Sequence, residues 1–323
     1  MPNGPYPNKN RCLWSAELID QKTANIQDIS GKATSGCAVY DYAFDLESGR
    51  SASRVARLVG NNKTVLEIGC GPGSQSKVFR EQLGCDVVGV EIDPVRAEKA
   101  RAYCREVHVA NLDTDDLGTI LKDEKFDVVV CADVLEHLRN PEALLVKLKL
   151  FLKADGYLVT SIPNITHASI VYEMVHGRFD YKSEGLLDST HIKLFSCASA
   201  LSLIENAGYW VNELQKARTL PQHTEFKTNP ISSEDKQILA AIHSRNPDAD
   251  TYQFIIKAHP LNNMGSQDSH AFTMREEIRK LQGTISSYDS ELNRLKSTIN
   301  WYRTPFVLRL LKKLGQLSRS SVK

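Results

Sequence analysis

The stretch V-L-E-I-G-C-G-P-G-S, Val65 to Ser74, places three glycines in five positions directly after a run of strand-forming residues. A strand that ends in glycines and continues into a helix gathers backbone N–H groups and a positive helix end at one point. Glycine lets a ligand lie against the main chain there. Two ligand classes use such a turn. A dinucleotide asks for G-x-G-x-x-G, whereas here the glycines are Gly69, Gly71 and Gly73, with Ser74 where the last should fall. Glu67, two residues before Gly69, adds a carboxylate that repels a pyrophosphate and attracts an amine. Glu91, at the end of the next apolar run, can accept from both hydroxyls of a ribose, which suits either class.

These groups need a frame. From Lys63 onward strand and helix patterns alternate. Thr64–Ile68, Asp86–Val90, Glu106–Val109, Phe126–Cys131 and Tyr157–Ser161 read as strands, and FDVVVC suits one buried on both faces. Helices are expected from about Ser74 to Leu83, after Asp93-Pro94, where a cap is followed by a first-turn proline, over Pro141–Leu152, and near Ala198. Gly156 reads as a turn. Tyr209–Leu214 and Thr251–Lys257 add two strands. The alternation predicts an α/β fold, a seven-stranded, mostly parallel sheet with helices on both faces. Residues 163–196 form a connection too long to be a plain one. It is rich in His, Tyr, Asp and Asn and lies at the carboxyl ends of the strands, where open sheets bind ligands.

E-I-G-C-G-P-G resembles the first motif of class I S-adenosylmethionine-dependent methyltransferases, and V-V-G-V-E-I-D resembles their second. A-D-V-L-E-H-L-R-N-P, Ala132 to Pro141, is similar to the segment after their fourth strand. SIPNITHAS, GRFDY and GLLDSTHIKLF resemble a subfamily encoded in bacterial surface-polysaccharide (O-antigen and capsule) gene clusters. The likeness runs from about Tyr40 to Pro260. It implies a Rossmann-like domain with S-adenosylmethionine as cofactor. Glu67, Gly69, Cys70, Gly71 and Gly73 would surround the methionine part, Glu91 would hold the ribose and Ile92 would lie against the adenine. Asn111 and Leu112 follow the third strand; the position Asn111 occupies is usually acidic, and its side-chain carbonyl can still accept from the adenine amine. Asp133 would lie near the methionine end. Tyr40 and Tyr42 precede the first strand as candidates for a covering lid, with ordinary packing as the alternative.

Methyl transfer from a sulfonium is an in-line displacement, in which the enzyme mainly aligns acceptor, methyl and sulfur. A sugar hydroxyl is a poor nucleophile while protonated, so a base assists. His137 and His191 are the catalytic candidates, with His167 behind them, although a lone histidine is usually structural. Asp133, Glu136 and His137 are spaced i, i+3, i+4, and on a helical turn they share a face. With His191 they form a secondary option, a site for Mg²⁺ or Mn²⁺ that polarises the acceptor hydroxyl; otherwise Glu136 caps or pairs at the surface. Asn164, His167, Arg178, Tyr181 and Asp188 are acceptor-side candidates. Each could equally hold the insertion together, since Asn and Asp favour turns for backbone reasons.

The composition, 41% hydrophobic and 24% charged, supports a packed core. Seven scattered cysteines without a C-x-x-C pair read as reduced thiols of a cytoplasmic protein. The opening residues read as a flexible leader without the apolar segment of a secretory signal. Residues 271–323 hold 11 Lys and Arg against 4 Asp and Glu, a net +7, which leaves the first 270 residues at −6 within a total of +1. An acidic body does not suit a nucleic-acid enzyme.

Met274, Ile278, Leu281, Ile285, Tyr288, Leu292, Leu295, Ile299 and Tyr302 step by fours and threes, a heptad seam. It reads as a parallel two-stranded coil, or as one helix packed on its own domain. FVLRLLKKLGQLSRSSVK then segregates leucines from basic residues, as an interfacial anchor or a partner-docking helix does. The organisation expected is a leader over 1–35, a methyltransferase domain over 36–260 with the acceptor-side insertion 163–196, a linker over 261–270, a coiled coil over 271–303 and a basic amphipathic tail over 304–323. The function expected is O-methylation of a sugar or glycan intermediate in surface-glycan synthesis. The coil would form a homodimer or dock a glycosyltransferase, and the tail would touch the inner face of the membrane. The rivals are a nucleic-acid or other small-molecule methyltransferase and a non-catalytic scaffold.

Overall fold

The computed structural model describes residues 46–228, 232–261 and most of 280–298. Seven strands form one sheet in the order β3-β2-β1-β4-β5-β7-β6. They are β1 (Thr64–Ile68), β2 (Asp86–Glu91), β3 (Glu106–Val109), β4 (Phe126–Ala132), β5 (Leu152–Pro163), β6 (Tyr209–Arg218) and β7 (Thr251–Pro260). β1 to β5 run parallel, and β7 pairs antiparallel with both β5 and β6. The helices are α1 (Ser51–Val59), α2 (Ser74–Glu81), α3 (Pro94–Ala100), α4 (Leu117–Leu121), α5 (Pro141–Leu148), α6 (Ala168–Val175), α7 (Cys197–Asn206) and α8 (Ser233–Arg245).

Strand alternation feeds two apolar layers. Leu66, Ile68, Val129, Cys131 and Leu158 face one layer, and Val65, Val87, Val128, Val130 and Val159 the other. Caps set the helix starts where the sequence offers them. Asp93 Oδ1 accepts from Val95 N at 2.8 Å ahead of Pro94, and Asn140 Oδ1 accepts from Ala143 N at 3.1 Å ahead of Pro141. Gly156 is not a turn. It lies inside β5, which starts five residues early because Leu152 pairs with Phe126 across a bulge.

The chain leaves β1 toward β2 on one side and reaches β4 on the other, so the connections diverge at the carboxyl ends of β1 and β4. That divergence is where an open α/β sheet makes its crevice. The insertion closes on itself beside it. Ile165 N donates to Phe195 O at 2.9 Å, and Ile170, Leu186 and Leu187 make a small core of their own.

The five described cysteines, Cys70, Cys85, Cys104, Cys131 and Cys197, are free. Among the described residues no helix is long and apolar enough to cross a membrane. Residues 280–298 are helical where described, and Leu281, Ile285, Tyr288, Leu292 and Leu295 are all exposed. Those seam residues therefore do not pack on the domain. Tyr40, Tyr42, Met274, Ile278, Ile299, Tyr302, the leader and the basic tail lie outside the described residues.

Candidate active site

The turn after β1 hangs from the end of β2. Gly69 N and Cys70 N both donate to Val90 O, at 2.7 and 3.1 Å, and Gly71 N donates to Glu91 Oε2 at 2.9 Å. Glu91 Oε1 accepts from Asp93 N at 3.0 Å. Pro72 has no N–H, and Gly73 N donates to Cys70 O at 3.0 Å. Every N–H from Gly69 to Gly73 is thus engaged within the protein. A phosphate laid on this turn would meet no free donor from those residues, which separates it from a pyrophosphate-binding loop.

Two glycines have distinct jobs. Gly69 has φ +70°, and a Cβ there would meet Val134 Cγ2 at 2.6 Å, so the chain after β4 presses directly on the turn. Gly71 has φ +55°, and a Cβ there would meet nothing within 4 Å. Its open side faces space that a ligand can fill. Ile92, one residue beyond β2, is 60% exposed despite its apolar side chain.

Several expectations need correction. Glu67 does not look out at a ligand's amine. It is buried beneath the turn, and its carboxylate accepts from the Ser76 hydroxyl in the first turn of α2. Burial pushes its pKa up to about 8. Cys70 is likewise buried, with its sulfur directed at Gly89 and not at the crevice. Asn111 Oδ1 accepts from Asp113 N at 3.0 Å, which leaves it one lone pair for the expected adenine amine; Leu112 packs partly on the core. Asn164 is fully buried and fully engaged. It donates to Asp248 O and Thr251 O and accepts from Thr166 N and Oγ1. His167 caps α6 through Ser169 N and bonds Thr219 O at 2.8 Å, and burial lowers its pKa. Both hold the insertion to the sheet. Arg178 is paired with Glu173. Asp188 Oδ1 accepts from Thr190 N and Oγ1, so it shapes a turn. Of the acceptor-side candidates, Tyr181 alone stays open, half exposed with its ring edge-on to Phe179.

Beyond β4 the chain makes a strained step. Asp133 has φ +55°, a left-handed conformation costly for a residue with a Cβ. Its Oδ1 accepts from Ser161 Oγ at 3.0 Å and from Gln253 Nε2 at 2.6 Å. The residue is otherwise exposed. Ser161 and Gln253 were not anticipated; a glutamine in TYQFIIK, at a core-facing register, was the available signal.

A 3-10 turn, Leu135–His137, follows. Because Asp133 lies outside it, the i, i+3, i+4 set does not form, and Asp133 does not join the group. Glu136, His137 and His191 do come together, with ligand-capable atoms all within 4.8 Å of one another. Glu136 is completely buried, and neither carboxylate oxygen has a hydrogen-bond partner. Burial raises its pKa well above the usual range. His191 Nε2 stands 3.9 Å from Glu136 Oε1, and the two imidazoles meet edge to face at 4.8 Å. Burial, and then the neighbouring His137, lowers the pKa of His191. The Glu136 carbonyl accepts from Ile192 N and Lys193 N, both at 2.9 Å, so the main chain locks the insertion onto this turn.

Comparison with known proteins follows the same lines. A family model described as a methyltransferase domain matches residues 45–214. The ubiquinone biosynthesis O-methyltransferase of Haemophilus ducreyi is 30% identical over 176 residues, 52% of this chain and 73% of its own. That of Glaesserella parasuis is 34% identical over 127 residues, 37% of this chain and 53% of its own. Apart from the Haemophilus ducreyi protein, the chain spans about half the length of the curated relatives named most readily beside it. Among solved structures, a SAM-dependent methyltransferase from Archaeoglobus fulgidus superposes with a TM-score of 0.46 at 21% identity, over 64% of this chain and 91% of its own. Magnesium protoporphyrin IX methyltransferase from Synechocystis gives 0.44 at 18%, over 66% and 83%.

The raised pKa of Glu67 sets a pH dependence. Between the ordinary value of 4.5 and about 8, the folded state holds a proton that the unfolded chain has released. Stability therefore falls as pH rises across that window and levels off above it. Glu67→Gln keeps an acceptor for Ser76 and removes the titration. Urea unfolding at pH 6 and pH 9 is expected to show the wild type losing stability relative to this variant.

Proposed function

The chain belongs to the methyltransferase-domain family, and from that premise we propose that it transfers a methyl group from S-adenosylmethionine to a hydroxyl oxygen. Bound S-adenosylmethionine supplies a methyl already activated on a sulfonium. The crevice fits it: Gly71 leaves the room its own Cβ would take, Ile92 offers an apolar face, and the turn has no N–H left from Gly69 to Gly73 for a phosphate. Glu91 keeps a second lone pair on each oxygen for the ribose hydroxyls.

The observation that carries the proposal is the contact of the turn with the chain after β4, where Gly69 lies against Val134. It sets the turn against the segment that carries Asp133, Glu136 and His137. Asp133 faces the methionine end. His137 and His191 act on the acceptor hydroxyl. The acceptor we favour is a sugar of a surface-glycan intermediate, from the likeness of SIPNITHAS, GRFDY and GLLDSTHIKLF, with Tyr181 as a stacking surface. The curated relatives' names favour a second reading, a phenolic hydroxyl of a quinone precursor. The exposed heptad residues support pairing with a second copy.

Four measurements test this. With labelled S-adenosylmethionine, an extract of glycan intermediates is expected to yield a product one methyl heavier by mass spectrometry; methylation of catechol-type quinone precursors alone would replace the sugar by the second reading. Gly71→Ala is expected to fold, at a cost of about 1 kcal/mol for its left-handed backbone, and to weaken S-adenosylhomocysteine binding at least about tenfold by calorimetry. Gly69→Ala should unfold more readily because its Cβ collides with Val134. Leu281→Glu with Leu295→Glu is expected to halve the mass seen by light scattering; an unchanged mass would remove the coil.

A further inference from the structure

Glu136 poses a question that the protein's own groups leave unanswered. A carboxylate with no exposure and no hydrogen-bond partner is costly to bury, and native structures rarely leave one so. Protonation does not answer it, because a carboxylic acid still presents an O–H and a carbonyl without partners. Only the two imidazoles lie within reach of it in the cluster.

Those imidazoles are prepared in the same way. His191 Nδ1 is bonded to Leu186 O at 3.1 Å, and His137 Nδ1 to Thr190 O at 3.2 Å and to Thr190 Oγ1 at 3.0 Å. A ring nitrogen beside a carbonyl oxygen carries the hydrogen and donates it. Each ring therefore keeps its lone pair on Nε2, and in His191 that atom is the one 3.9 Å from Glu136 Oε1. Imidazoles oriented by a backbone carbonyl through the far nitrogen are the usual state of metal-ligating histidines.

We infer that Glu136, His137 and His191 hold one divalent first-row transition-metal ion, which binds the acceptor hydroxyl. Two nitrogens and one carboxylate oxygen suit Zn²⁺, Mn²⁺, Fe²⁺ or Co²⁺ better than Mg²⁺, which prefers an all-oxygen shell. Donors bound at about 2.1 Å lie at most about 4.2 Å apart. The cluster's 4.8 Å spread thus asks for closure of about half an ångström. His137 is only partly buried, which leaves coordination positions open on its side for water or acceptor. Asp133 stays outside, its Oδ1 taken by Ser161 and Gln253.

The chemistry rests on the O-methyl transfer proposed above. The ion-bound hydroxyl gives its proton to solvent, and its oxygen forms the new bond to the methyl carbon. The carbon–sulfur bond breaks with its electron pair on sulfur, leaving S-adenosylhomocysteine. The two imidazoles then activate the hydroxyl through the ion and do not take its proton themselves.

The test is direct binding. Tag-free full-length protein, stripped with chelator, is titrated with Co²⁺ and followed by visible d–d absorption and by calorimetry. One equivalent is expected, displaced by Zn²⁺. His137→Ala is the decisive variant because its side chain is half open and its loss leaves the core intact; it should lower Co²⁺ affinity by about 100-fold or more, since even the outer partners of a ligand are worth 10–100-fold. Glu136→Gln and His191→Ala should do the same, with far-UV circular dichroism confirming the fold. His243→Ala, an exposed histidine paired with Asp250, should bind as the wild type does. A folded wild type that takes up no Co²⁺, or uptake unchanged in His137→Ala, would overturn the inference. Co²⁺ uptake through these residues with no methyl transfer to any hydroxyl would sink the proposed function and leave the site standing. Methyl transfer indifferent to chelation would sink the metal and leave the function.

Discussion

The site depends on one piece of main-chain hydrogen bonding. The carbonyl of Val90 and the carboxylate of Glu91 together take the N–H groups of Gly69, Cys70 and Gly71. Three consecutive N–H groups can turn toward one strand end only if the backbone folds back on itself, and the positive φ of Gly69 and Gly71 is the form that takes. The same bonds decide the ligand. Donors committed to β2 are not available to phosphate, so the turn offers shape and a floor of backbone, which a sulfonium cofactor without phosphates requires. Glu91 would couple the two tasks under the proposed function, since the carboxylate that steadies the turn is also the one assigned there to the ribose.

The opposite wall is built by a second main-chain device. The Glu136 carbonyl receives two N–H groups from the insertion, so the short turn after β4 and the segment carrying His191 move as one. Thr190 and Asp188 then set the ring of His137. A strained residue, Asp133, joins this wall to the sheet, and Ser161 and Gln253 on β5 and β7 hold its side chain. Methyl transfer needs little beyond alignment. Alignment here comes from two rigid strand ends meeting at the Gly69–Val134 contact.

Much of this was legible in the sequence. The strands were, because β-branched runs between turn residues leave few alternatives, and Asp93-Pro94 and Asn140-Pro141 mark helix starts that the structure keeps. Helices α1, α4, α6 and α8 were not foreseen. α8 has no buried residue at all, so it lacks the apolar stripe that periodicity detects. The sequence singled out Gly69, Gly71, Glu91, Glu136, His137 and His191, and the structure bonds the glycine turn to Glu91 and gathers the last three residues into one cluster. The site was misread at Glu67, Asn164 and His167, because residue type does not reveal whether a polar side chain meets a ligand or a buried partner. The spacing from Asp133 to His137 implied a shared face only if a helix ran through it, and a left-handed φ at Asp133 breaks that premise.

The division of labour between the two walls follows from their packing. The cofactor turn is tied into the sheet by β1, β2 and β4, whose side chains fill both main apolar layers. The insertion carries its own small core of Ile170, Leu186 and Leu187, and it is anchored through buried polar groups, Asn164 and His167, at its entry. A segment with a separate core can change its outward residues, such as Phe179 and Tyr181, without disturbing the strands beneath. Under the proposed function, the choice of acceptor is therefore mechanically separable from the binding of the donor. Glu136 and His191 belong to opposite sides of that joint and stand 3.9 Å apart across it, so a change in the insertion that shifts His191 is felt at the strand end.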